Sequence, residues 1–163
     1  MGLTMLARNF GGDDQESASL LKVMNEGYPV VSALAMLSAK AIARGDFEAN
    51  DTLEKLTPEA KMLLLVARVR GTFEMRATKD SFDSTERFLA VCVETEPGVF
   101  LVFRRKDQPR QTVRFIEAFA QLCRLGLVIH HQQKEFSLST HGYTMAESVS
   151  ADEIKDLMDF AVA

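Results

Sequence analysis

The run AFAQLCRLGLVIHHQQKEFSLSTHGYTMAES, residues 118 to 148, leaves a chain few choices. Its apolar residues keep helical spacing up to Leu125 and then meet Gly126. Glycine enters the left-handed region freely, where a residue with a side chain pays roughly 1 kcal/mol, so the helix stops there. Counting back, Leu122 and Leu127 become the apolar pair that closes a Schellman ending. LVIHH and EFSLS then make a hairpin over QQK, and Ser139 is placed to cap a short helix carrying Tyr143 and Ala146. Phe136 and Tyr143 read as core residues.

The helix feeding that stop begins near Pro109, behind a cap at Asp107 or Gln108. Further upstream, LTPEAKMLLLVARVRG opens with Thr57 as a cap, Pro58 in the first turn and Glu59 at the positive end of the dipole, and it closes at Gly71. Its Met62 to Ala67 stretch is apolar nearly all round, which implies burial on more than one side. From Thr72 to Lys106 the period changes to two, through TFEMRAT, RFLAVCVE, an EPG turn and VFLVFRR, as a small antiparallel sheet requires. Phe88 to Val93 also fits a helix, because Asp83-Ser84-Thr85-Glu86 resembles a cap. Nearer the start, QESASLLKVMNEG and VVSALAMLSAKAIARG predict two antiparallel helices, the second burying Val30, Ala33, Leu34, Leu37, Ala41 and Ile42. The tail ADEIKDLMDFAVA predicts one more short amphipathic helix.

Residues 56 to 148 resemble a winged-helix-like domain found at the C-terminal end of many bacterial proteins. LTPEAKMLLL, RGTFE, AFAQLCRLGLV and KEFSLSTHGYTMAE carry the resemblance. The last stretch is also similar to the wing-and-turn ending of bacterial winged-helix regulators. The expected fold class is therefore α+β: a winged-helix-like domain with a small antiparallel sheet, preceded by an N-terminal helical hairpin. The expected divisions are an N-terminal helical segment (1–55), the winged-helix-like domain (56–149) and a C-terminal helix (150–163). One departure is that some 35 residues of sheet separate the first helix from the one at Pro109, where a compact regulator has a tight turn.

The 163 residues carry 19 Lys and Arg against 23 Asp and Glu, net minus 4, which offers no global attraction for polyanions. Any such binding needs a local patch, and residues 104 to 124 supply one: six basic groups face only Asp107 and Glu117. Arg110, Arg114, Glu117, Gln121 and Arg124 share one helical face, and Arg and Gln are the side chains that read base edges bidentately. Arg104, Arg105 and Lys106 stand just upstream, placed to touch phosphates. The candidate nucleic-acid-binding set is thus Arg104, Arg105, Lys106, Arg110, Arg114, Gln121 and Arg124. The competing reading, a solvated face, is favoured by the balance over residues 56 to 149, where 13 basic groups meet 11 acidic ones.

No catalytic or metal site is expected, nor a cofactor. Adjacent His130 and His131 point to opposite faces of a strand, and His141 has no ligand partner at a matching spacing. Ser19 and Lys22 match a Ser-x-x-Lys pattern without its companion motifs. Cys92 and Cys123 lie in apolar segments and read as buried thiols. The opening residues lack a secretory or acylation signal, and VVSALAMLSAKAIA is interrupted by Lys40, so cytoplasmic placement without membrane contact is expected. The expected role is a non-enzymatic protein-interaction or self-association module, with a homo-oligomer or a protein partner expected; the alternative is a nucleic-acid-binding regulator that uses the basic face of helix 109–125 on DNA.

Overall fold

The computed structural model describes residues 28–45, 53–79 and 87–161. In chain order these form α1 (Tyr28–Arg44), α2 (Pro58–Ala67), β1 (Thr72–Lys79), β2 (Arg87–Glu96), β3 (Val99–Val102), α3 (Pro109–Arg124), β4 (Val128–Gln132), β5 (Glu135–Leu138), α4 (Thr140–Ser148) and a 3-10 turn (Ala151–Leu157). The fold is α+β. One antiparallel five-stranded sheet runs in the order β3-β2-β1-β5-β4. Phe88 to Val93 is strand, not helix, in register with β1 from Phe73 opposite Val93 to Lys79 opposite Arg87.

The local signals around α2 and α3 act as their chemistry dictates. Thr57 Oγ1 accepts from the Ala60 amide at 3.2 Å. Gly126 sits at φ +69°, the Leu127 amide donates to the Leu122 carbonyl at 3.0 Å, and the Gly126 amide donates to the Cys123 carbonyl at 3.1 Å. Those two bonds are the Schellman pair, and Leu122 and Leu127 are both fully buried beside it. Ser139 Oγ accepts from the Gly142 amide at 3.0 Å and donates to the Gly126 carbonyl at 2.7 Å, so one hydroxyl joins the stop of α3 to the start of α4. At the other end of α3, Gln108 occupies the cap position without a side-chain bond.

The core lies on one face of the sheet. Alternate residues Phe73, Met75, Val91, Val93 and Phe136 point into it, and α2 and α3 cover them. Phe119 packs on Phe73 (5.3 Å between ring centroids) and edge-on to Phe136 (5.0 Å); one turn earlier, Phe115 packs on Phe103 (4.8 Å) and stacks on Phe160 (5.0 Å). Rings at i and i+4 therefore fasten α3 to β1, to β5, to the strand end and to the chain's last described turn. Val31 and Leu34 of α1 and Ile154 near the end belong to the same core. As expected, α2 is buried on several sides, with Met62 to Leu65 in the interior.

Several expectations require correction. Inward residues of α1 are Val31, Leu34, Ser38 and Ala41, whereas Ala33 is exposed and Val30 and Ile42 are exposed at 42% and 38%. The rotation follows from Ser38, whose buried hydroxyl donates to the Val128 carbonyl and places α1 over β4, an edge strand of the sheet. The first helix of the expected N-terminal hairpin lies outside the described residues, and α1 packs on α3 and β4. Tyr143 is 38% exposed, its hydroxyl reaching the Arg70 carbonyl at 3.4 Å. The tail forms a 3-10 turn broken at Ile154 (φ −126°) instead of a regular helix. Among the described residues no helix is long and apolar enough to cross a membrane.

Candidate functional site

The inward face of α3 is Thr112, Phe115, Ala118, Phe119, Leu122 and Cys123. This is rotated from the buried side that helical spacing predicts, Val113, Ile116, Phe119, Ala120, Leu122 and Cys123: Val113 is 52% exposed and Ile116 is half-buried, while Phe115 is fully enclosed. Two aromatic rings four residues apart outweigh two β-branched residues on the neighbouring flank, because a ring loses far more apolar surface on burial. Thr112 is carried inward with Phe115, and its hydroxyl takes the Arg105 amide at 3.2 Å and donates to the Gln108 carbonyl at 3.2 Å.

That rotation separates the seven basic and amide residues. Arg110, Arg114 and Arg124 are exposed along the outer side of α3. Arg114 and Arg124 line an open groove of about 540 Å³ together with Thr57, Glu59, Glu117 and Gln121. Gln121 is committed within it: Oε1 accepts the Thr57 amide at 3.1 Å and the Thr57 hydroxyl at 3.3 Å, and Nε2 donates to the Lys55 carbonyl at 3.0 Å. Its amide fixes the N-terminus of α2, so base reading would require breaking that link. Glu59 is buried beside the same groove and accepts from Gln111 Nε2 at 2.9 Å.

Arg104, Arg105 and Lys106 stand on the opposite flank of the helix. They rim a second cavity of about 310 Å³ whose floor is Leu89, Pro109, Val113 and Ile116. Arg105 holds Asp107 bidentately, Nε to Oδ1 and Nη2 to Oδ2, both at 3.1 Å, and it donates to the Asp159 carbonyl at 3.4 Å. Lys106 is exposed in the turn before α3. This apolar, basic-rimmed hollow was not legible as a site in the sequence; its only signal was Val113 and Ile116 beside RRK, which read as core.

His130 Nε2 is 3.0 Å from the Gln133 carbonyl, with its ring on Phe136, and His131 Nε2 is 2.6 Å from Ser137 Oγ. Among the described residues no three His, Cys, Asp or Glu side chains stand close enough to hold a metal. Both cysteines are free and buried. Burial pushes the Cys92 thiol up to about 11 and the Cys123 thiol up to about 12, so neither is a ready nucleophile. Ser19 and Lys22 lie outside the described residues. Comparison with protein-family models finds no match to this chain, and neither the curated proteins nor the solved structures contain one.

Proposed function

We propose that the chain is a non-enzymatic interaction module, a winged-helix-like domain that associates with a second copy or a protein partner through the outer surface of α1. The observation that carries this reading is the distribution of apolar surface on that helix. Met36 is 60% exposed, and the exposed Ala33, Ala39 and Ala43 surround it on the side opposite the buried stripe, with Val30 and Ile42 on the margins. Small residues on a helix allow close approach of a second helix, and only Lys40 and Arg44 interrupt this surface with charge. The winged-helix-like reading is supported by the way the hairpin after α3 returns to pair with β1, the strand that follows α2.

Sedimentation velocity over a concentration series tests the self-association arm: a concentration-dependent dimer that Met36→Glu converts to monomer is expected. A strict monomer at high micromolar protein, unchanged by that substitution, would remove it. Exposure of Arg110, Arg114 and Arg124 along α3 favours the second reading, a nucleic-acid regulator. Glu117 among them and the tied Gln121 weigh against it. Anisotropy with mixed-sequence duplex DNA at low salt decides the point, since phosphate neutralisation must show as a steep salt dependence lost in the triple alanine variant.

A further inference from the structure

The outer face of α1 carries charge of one sign only. Ala33, Met36, Lys40 and Ala43 follow one another at three- and four-residue spacing, with Arg44 one turn beyond Lys40, and all five are exposed. Tyr28–Arg44 contains no Asp or Glu. Among the described residues neither Lys40 nor Arg44 is ion-paired, and Arg44 donates to a neutral acceptor, the Arg124 carbonyl at 3.4 Å. The helix dipole accounts for a cation in the last turn, where Arg44 stands. Lys40 lies a turn earlier, amid apolar surface.

Residues 13–26, outside the described ones, carry the complementary pattern in their sequence. Asp13, Glu16, Leu20, Val23 and Met24 recur at the same three- and four-residue spacing, so a helical period aligns two carboxylates with three apolar side chains. Chain length fixes where these would fall. α1 begins at Tyr28, directly after Gly27, and a helical return from that glycine at about 1.5 Å per residue sets Val23 and Met24 beside Val30 and Ala33, Leu20 beside Met36, and Glu16 and Asp13 beside Lys40 and Arg44. We propose that residues 13–26 of the same chain dock on this face of α1 and withhold it from a second copy. The inference rests on the reading of that face as an association surface and adds what regulates it.

Charge and tethering select this occupant. A second α1 has no carboxylate to offer Lys40 or Arg44, whichever way it runs, whereas residues 13–26 bring Asp13 and Glu16 to that end of the helix. A segment joined through Gly27 also acts at an effective concentration on the order of millimolar, and a second copy must be gathered from solution. Self-association then proceeds only by displacing the chain's own segment.

The test uses the full chain with a nitroxide on Ala39→Cys, an exposed position flanking the face; both native thiols are buried. Broadening of the Glu16 and Leu20 amide signals is expected, and it should persist when the isotope- and spin-labelled chain is diluted into excess unlabelled chain. Lys40→Glu should remove most of the broadening, and Lys40→Glu combined with Glu16→Lys should restore it. Leu20→Glu should erase it and, in sedimentation velocity, tighten dimerisation roughly tenfold. Absence of broadening, broadening lost on dilution, no rescue by the charge exchange, or a dimer no tighter in Leu20→Glu would overturn the proposal, and a dimer that persists in those cases leaves the association reading standing. Intrachain broadening in a chain that stays monomeric even as Leu20→Glu would uphold the docking and remove self-association instead.

Discussion

Gln121 on α3 accepts both the amide and the hydroxyl of Thr57, at 3.1 and 3.3 Å, and so caps a helix to which it does not belong. The same amide reaches the Lys55 carbonyl, so one side chain satisfies three polar groups at the entry to α2. Gln121→Ala should therefore cost about 0.5–1.5 kcal/mol, the net worth of such bonds at a partly solvated site. A denaturant series with Thr57→Ala should show coupling, the double variant losing less than the sum of the singles.

The crossing of α4 over the end of α3 demands two glycines for different reasons. Gly126 needs its positive φ, and Gly126→Ala should cost about 1 kcal/mol. Gly142 needs emptiness: a Cβ there would stand 2.0 Å from the Leu127 carbonyl oxygen, a backbone atom that cannot swing aside. Gly142→Ala should therefore lose more than Gly126→Ala, at the upper end of the ~1–3 kcal/mol seen for overpacking or beyond it. Chemical denaturation midpoints at unchanged slope would verify the order.

Phe119 touches rings from two strands and is fully enclosed. Phe119→Ala should cost about 3–5 kcal/mol. Val113→Ala, one and a half turns away and half in solvent, should stay within about 0.5 kcal/mol. Equal losses at the two positions would contradict the orientation of α3 described above.

The turn between β2 and β3 should respond to acid. The Gly98 amide donates to Glu94 Oε1 at 2.9 Å, and this bond, aided by Arg70, holds the Glu94 carboxyl below its ordinary 4.5. A depressed folded value means that the contribution is present at neutral pH and disappears as pH falls through that lowered value. The Gly98 amide resonance should move with a midpoint below 4.5, and Glu94→Gln should erase the titration.

The thiols supply a base-side counterpart. Burial favours neutral Cys92 and Cys123, raising them from 9.0 to about 11 and about 12. Raised folded values place full stability below the ordinary thiol range, with a decline as pH climbs from 9 toward 11 and 12. Native protein at pH 8 should take up thiol reagent only as fast as it opens, and urea should release both sulfurs at once.

Short-range chemistry was written into the chain. Thr57-Pro58, Gly126 between Leu122 and Leu127, and Ser139 each set a boundary through bonds to residues at most five positions away, so their effect needs no tertiary partner. Period-two spacing in β1 worked for the same reason, since alternation depends on the pleat alone, and β3 was marked by its β-branched and aromatic composition. What sequence could not decide was rotation and pairing. Which stripe of α3 turns inward depends on Phe73, Phe103, Phe136 and Phe160 waiting across space, and Val113 and Ile116 lost that competition to Phe115. The side of α1 that docks was likewise set by the Val128 carbonyl, ninety positions from Ser38. The hollow beside Leu89 exists because Thr112 draws Arg105 out of the ladder, a three-body event among β2, β3 and α3. Local rules fix where elements start and stop; only the assembled core decides which faces remain open to partners, because burial is shared among elements distant in the chain.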